Sequence, residues 1–162
     1  MKLAVREFVV RWREVAIVAL VLFAINLGGR IWAKNLKAAN DLVLADRQAK
    51  AGFAALGLIG LVFFAMALYW GRERTMWKTC TELGFAAVAA SLLSVFVAPP
   101  LVGKSPFAGG AGNFFAQFWW WGGLAIVGVG LAYIVLVAFT IDHRSKQLKR
   151  YADRAKAQPK RV

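Results

Sequence analysis

Catalysis, metal binding and electron transfer each require particular side chains within reach of one another, and few are present here. The chain has one histidine, His143, and one cysteine, Cys80. A single histidine excludes bis-histidine haem ligation within one chain, and no C-x-x-C-H run exists to attach a c-type haem. The usual Cys/His zinc site cannot be assembled from this pair, and a lone cysteine closes no intrachain disulfide. Asp142 precedes His143, but neighbours on a helix point in different directions and do not form an acid–base pair. His143 therefore reads as an interfacial residue at the start of a basic tail. No catalytic, metal-binding or cofactor-binding residue is assigned, and no cofactor is expected.

Gly103-Lys104-Ser105 has the ending of a phosphate-binding loop. That loop also needs a glycine five residues before Gly103, where this chain has Ala98, and a strand before it with a helix directly after. Pro99-Pro100 precede and a glycine-rich stretch follows, so the motif is rejected. The other polar residues of interest lie in apolar surroundings. Asn26 and Arg30 fall in the outer third of the first apolar run, and Glu82 falls near the inner end of the third. Ionisable groups deep in a bilayer mark functional sites, whereas near its surface a long side chain snorkels to the headgroups. Arg30 and Glu82 are expected to be interfacial and wet, on opposite sides of the membrane. None of the runs carries an acidic residue near its middle, as a proton-coupled pump would require.

The elements that hold these residues follow from composition. Of the 162 residues, 60% are hydrophobic and 18% charged, too little polar surface to cover a soluble domain of this size. Apolar runs of about 20 residues, the length that crosses about 30 Å of hydrocarbon, alternate with short charged clusters. The net charge of +13 does not point to nucleic acid, because Lys and Arg gather in cytoplasmic segments for topological reasons. The fold class expected is an all-α integral membrane protein: a four-transmembrane-helix bundle with an amphipathic N-terminal segment and a basic C-terminal tail.

The segment 1–14 is expected at the cytoplasmic membrane surface, with Val5, Phe8, Val9, Trp12 and Ala16 on one face and Lys2, Arg6 and Arg13 on another. The transmembrane domain, 15–141, contains helices over about 15–33, 52–70, 81–98 and 114–141. The first is read as retained rather than cleaved, since no small-x-small site follows its apolar run. Between the first two helices, 34–50 lacks Gly and Pro and carries opposite charges four apart, so both helices are expected to extend there as a hairpin. Pro99-Pro100 should stop the third helix, and 101–113 should be an irregular loop. Phe114, Phe115, Phe118 and Trp119–Trp121 read as an interfacial aromatic belt.

With both termini inside, fifteen Lys and Arg lie on the cytoplasmic side and six outside. The positive-inside rule therefore favours a multi-pass protein of a bacterial-type inner membrane with cytoplasmic termini. The tail, 142–162, offers Arg144, Lys146, Lys149, Arg150, Arg154, Lys156, Lys160 and Arg161 to anionic lipid headgroups.

Small residues recur every four positions on the third helix at Ala86, Ala90, Ser94 and Ala98, and more weakly on the fourth at Gly128 and Ala132. Helices in lipid associate through close packing of such faces, and the stripe on the third helix is expected to make the tightest contact, within the chain or to a partner. The functional expectation is an accessory or scaffold subunit of a larger membrane complex, without catalysis of its own, assembled with copies of itself or with other membrane proteins. A homo-oligomeric channel or transporter is the alternative, and a quinone- or lipid-binding subunit of a membrane enzyme is a further one.

Overall fold

A computed structural model describes the backbone of residues 2–107 and 109–157, with side chains from Trp12 onward apart from those at 155 and 157. The described residues are helical and turn structure without a strand. In chain order the helices are α1 (Lys2–Asn35), α2 (Asp41–Gly71), α3 (Met76–Phe96), α4 (Ala98–Leu101), α5 (Gly110–Ala138) and α6 (His143–Ala157). Four of them, α1, α2, α3 and α5, are long and apolar enough to cross a membrane. The proposed faces of segment 1–14 rest largely on side chains outside the described set, but its backbone continues into α1 without a break from Lys2.

Local sequence explains most boundaries. Asn40 caps α2, its side-chain oxygen accepting from the Leu42 amide at 3.1 Å, and Asp41 adds a negative charge where the helix dipole favours one. The connection between α1 and α2 is thus a short turn between two long helices. At Pro99-Pro100 the structure departs from the expected stop and loop. α3 already ends at Phe96, and the two prolines lie inside the one-turn helix α4. Proline fits the first turn of a helix because its missing N–H would have no partner there. The irregular segment is therefore shorter than expected, since α5 begins at Gly110 after a glycine turn with Gly103 and Gly110 at positive φ.

α5 closes with Thr140 in the left-handed region, φ 53°. The Ile141 amide donates to the Leu136 carbonyl and the Thr140 amide to the Val137 carbonyl, each at 3.0 Å. This is a Schellman closure, in which glycine is the usual left-handed residue. The chain then turns into α6, whose first amides are capped by the Asp142 carboxylate.

The core is apolar and periodic. On α2 the buried positions Ala51, Ala55, Ile59, Phe63, Ala67 and Gly71 recur every four residues, with Trp70 buried beside the last. α2 and α3 each pack against both α1 and α5, and α3 is the most enclosed helix, with half of its most apolar window buried. Leu22, Ile59, Phe63, Leu83, Ala86 and Ala90 fill the middle. The broadest helix–helix interface joins α2 and α5, where Gly128 lies against Gly60 and Phe63 of α2. A second close approach brings Gly29 of α1 against Ala55 of α2. Both suit apolar surroundings, where close backbone packing replaces the hydrophobic drive.

Candidate functional site

Polar side chains gather at the two ends of the bundle and leave its middle apolar. At one end the turn between α2 and α3 places Arg74 between two carboxylates. One Nη donates to Glu82 of α3 and the other to Glu14 of α1. The guanidinium also lies over the Trp70 ring, 4.6 Å from its centroid, a favourable cation–π geometry. Burial acts against the charged form of Arg74. The hydrogen bonds and charges of Glu14 and Glu82 outweigh it and hold the guanidinium above its ordinary range. Three elements are thereby tied together by one cation.

Glu82 is not wet. It is 3% exposed, which corrects the expectation of a solvated interfacial carboxylate. The reason is its position on α3, the most enclosed helix, four residues before Ala86 on the same face. Glu14 was not singled out in the sequence. The usable signal is an acid at the N-terminal edge of the first apolar run.

At the opposite end, α1 presents Asn26, Arg30 and Lys34 one turn apart. Arg30 donates through Nε to Asn26 Oδ1 at 2.9 Å and through Nη2 to Gln117 Oε1 of α5 at 2.7 Å. Lys34 Nζ donates to the Val102 carbonyl at 3.0 Å, holding the turn after α4 against α1. Arg30 is half-buried rather than freely solvated, because α5 brings Gln117 across to it. A cavity of about 240 Å³ lies beside it, with Gly29, Leu56, Gln117, Trp120 and Trp121 among its walls.

The aromatic residues at this end do not form a uniform belt. Phe114 is a hub, stacked on Phe107 at 5.0 Å and meeting Phe96, Phe115 and Phe118 edge to face. Trp121 is turned inward and 4% exposed, while Trp119 is 85% exposed.

No family model, curated protein or solved structure matches the chain. His143 meets Gln147 at 3.2 Å, and Asp142 is engaged with backbone amides of α6, so the two do not act on each other. Cys80 is half-buried. Among the described residues no three of His, Cys, Asp and Glu are grouped to hold a metal ion. Lys104 follows Gly103 in a turn and is exposed, with no helix directly after it.

The small residues named for packing are all buried: Ala86, Ala90 and Ser94 on α3, Ala98 at the start of α4, and Gly128 and Ala132 on α5. They face the inside of this chain, and α2 and α5 share a broader interface than α3 makes with any other helix. The basic residues of the tail form no cluster with a single focus. Arg144, Lys146, Lys149, Arg150, Arg154 and Lys156 are spread along α6 and exposed, Lys146 donating to the Arg72 carbonyl at 3.3 Å. Lys160 and Arg161 lie outside the described residues.

A further pocket of about 470 Å³ sits at the Arg74 end, between Thr75, Tyr133, Val137 and the start of α6. Tyr133 lines it, and its buried hydroxyl, like the buried Thr79 Oγ1 and Ser94 Oγ, has no hydrogen-bond partner among the described residues.

Proposed function

We propose that the chain is a multi-pass membrane protein with four spans and both termini cytoplasmic, acting as a non-catalytic accessory or scaffold subunit of a membrane assembly. The observation that carries this reading is the distribution of polarity along the bundle. Leu22, Ile59 and Phe63 close the middle at 0% exposure, and among the described residues no buried polar side chain lies on α3 between Glu82 at the Arg74 end and Ser91. A conduction path through one chain would need polar or wetted positions at that level. The Arg74 cluster is a tie between helices, since one guanidinium bonds carboxylates from two of them.

The excess of Lys and Arg in the N-terminal segment, the α2–α3 turn and α6 supports cytoplasmic termini in a bacterial-type inner membrane. α6 supports contact with anionic headgroups: it sets Leu148 and Tyr151, exposed at 63% and 77%, beside its basic residues. Such a helix lies in the interface with its apolar side inward. Partners are other integral membrane proteins or copies of this chain, meeting it on exposed apolar faces of α5 and α2.

The test is purification of the tagged full-length chain from its native membrane in mild detergent. Stoichiometric co-purification of another membrane protein, or a defined oligomer of this one, is expected. A monomer that by itself carries ions across proteoliposomes would overturn the reading.

A further inference from the structure

The two arginines at the ends of the bundle are satisfied in opposite ways. Arg74 has two carboxylates. Arg30 has two neutral acceptors, Asn26 Oδ1 and Gln117 Oε1, and forms no ion pair among the described residues. A guanidinium has five N–H donors in a planar fork, so three remain after these two bonds. One turn further along α1, Lys34 adds a second cation whose recorded partner is a neutral carbonyl. A charge in a membrane-spanning segment is costly without a counter-charge.

Next to this charge is the cavity of about 240 Å³ between α1, α2 and α5. Its polar wall is Asn26, Arg30 and Gln117. Leu56, Trp120 and Trp121 supply most of the rest, and Trp120 is 54% exposed at its mouth. The volume is below the roughly 300–1,000 Å³ of sites that enclose a whole drug-sized ligand. It suits a headgroup whose chains stay outside. Gly29 shapes the floor: a Cβ there would come within 2.5 Å of the Ala55 Cβ, so α1 reaches α2 only because position 29 lacks one.

We propose that this cavity binds the anionic phosphate headgroup of a lipid, with the phosphate on the free edge of Arg30 and the acyl chains running past Trp120. Arginine suits this task because its fork bonds phosphate oxygens in pairs. Asn26 and Gln117 are positioning residues that hold the guanidinium plane toward the cavity. This site is distinct from α6, whose basic residues are exposed at the other end. The proposal rests on the membrane-spanning reading but not on the scaffold role.

The test uses the full-length protein in detergent, with native mass spectrometry after adding phosphatidylglycerol, phosphatidylcholine or inorganic phosphate. One phosphatidylglycerol should be retained at least about tenfold more tightly than phosphatidylcholine, and inorganic phosphate should not compete at equal concentration. Arg30→Gln should lose that preference by about tenfold or more, as expected for removing a charge-assisted pair. Neutralising Lys149, Arg150 and Arg154 together should leave it in place. Leu56→Trp fills the cavity without touching Arg30, and it should also expel the lipid, which keeps the proposal testable if Arg30→Gln does not fold. Equal retention by wild type and Leu56→Trp, loss only in the α6 variant, or competition by free phosphate would each overturn it. Failure of the membrane reading would look different: alkaline carbonate would release the chain from membranes without detergent.

Discussion

Gly128 and Gly130 lie two residues apart on α5, yet alanine at these positions should have opposite consequences. A Cβ at Gly128 would lie 2.9 Å from both the Gly60 carbonyl oxygen and the Phe63 Cβ, and 3.3 Å from the Phe64 amide nitrogen. Two of these atoms are backbone and the third is a Cβ, so no rotamer change relieves the contact and α2 must move away from α5. A Cβ at Gly130 would meet nothing within 4 Å. Glycine to alanine in a helix interior gains about 1 kcal/mol on aqueous scales, and this gain is common to both variants. The difference between them therefore isolates the clash. Forcing an extra methyl into a packed interior costs roughly 1–3 kcal/mol, so Gly128→Ala should be less stable than Gly130→Ala by roughly 5- to 150-fold in its unfolding equilibrium.

The assay is helicity by circular dichroism through a titration of SDS into mixed micelles, with both variants and wild type in the same detergent. Gly130→Ala should match or exceed wild type, and Gly128→Ala should unfold at lower SDS. Coincident curves for the two variants would refute the α2–α5 packing at this point, and with it the path by which α5 delivers Gln117 to Arg30.

Four further outcomes are expected. Reporter fusions after Gly71 and after Val162 should report cytoplasm, and those after Lys37 and Gly110 the outside; an outside report at Val162 would contradict the four-span topology. Arg74→Gln should lower stability by about 3 kcal/mol, the lower end for breaking a buried ion pair because Glu14 keeps a side chain 39% exposed. Lys50→Gln, which breaks a pair exposed at 74% and 58%, should change it by less than about 1 kcal/mol, and equal effects in the same SDS titration would discount the Arg74 cluster. Thr140→Gly should raise stability by about 1 kcal/mol, since it removes a β-branched residue from the left-handed region; a loss of stability there would mean that the Thr140 side chain contributes more than its backbone costs. A peptide of residues 142–162 should bind anionic vesicles with an affinity that falls as salt rises, and equal binding to neutral vesicles would count against contact between α6 and headgroups.

The four long helices were legible because a bilayer-length apolar run is a strong signal that needs no tertiary knowledge. Their ends were less so. Pro99-Pro100 read as a terminator, whereas the same residues open α4, because proline is tolerated in a first turn and excluded only from helix interiors. Glu82 shows what one-dimensional reading loses. Its place near a helix end suggested solvent, but the four-residue period of Ala86, Ala90, Ser94 and Ala98 extends back to position 82. Followed one step further, that period would have put the carboxylate on the buried face. Arg74 and Glu14 could not be paired with it in advance, because 60 residues separate them in sequence and only the crossing of α1 with the α2–α3 turn brings them together.

The Arg30 end invites the same comparison, with a different result. Hydrogen bonds from Asn26 and Gln117 reduce the cost of holding Arg30 in a span but supply no negative charge. Insertion scales put a centrally placed arginine at about 2.5–3.5 kcal/mol, less toward the surface, and hydrogen bonds to a charged group return about 1.5–3 kcal/mol each. On these magnitudes Arg30 is tolerated without an ion pair, so a ligand is not needed to explain the fold. Space beside a guanidinium is common to both ends, since the pocket of about 470 Å³ also borders Arg74; the difference is that Arg74 has two carboxylates and the Trp70 ring, whereas Arg30 has neutral acceptors alone among the described residues. At the Arg30 end the adjoining cavity also has the exposed Trp120 among its walls. Unused donors and an uncompensated charge beside an apolar-walled cavity are therefore the grounds for the lipid-phosphate proposal, and Arg30→Gln against Leu56→Trp is the comparison that decides it.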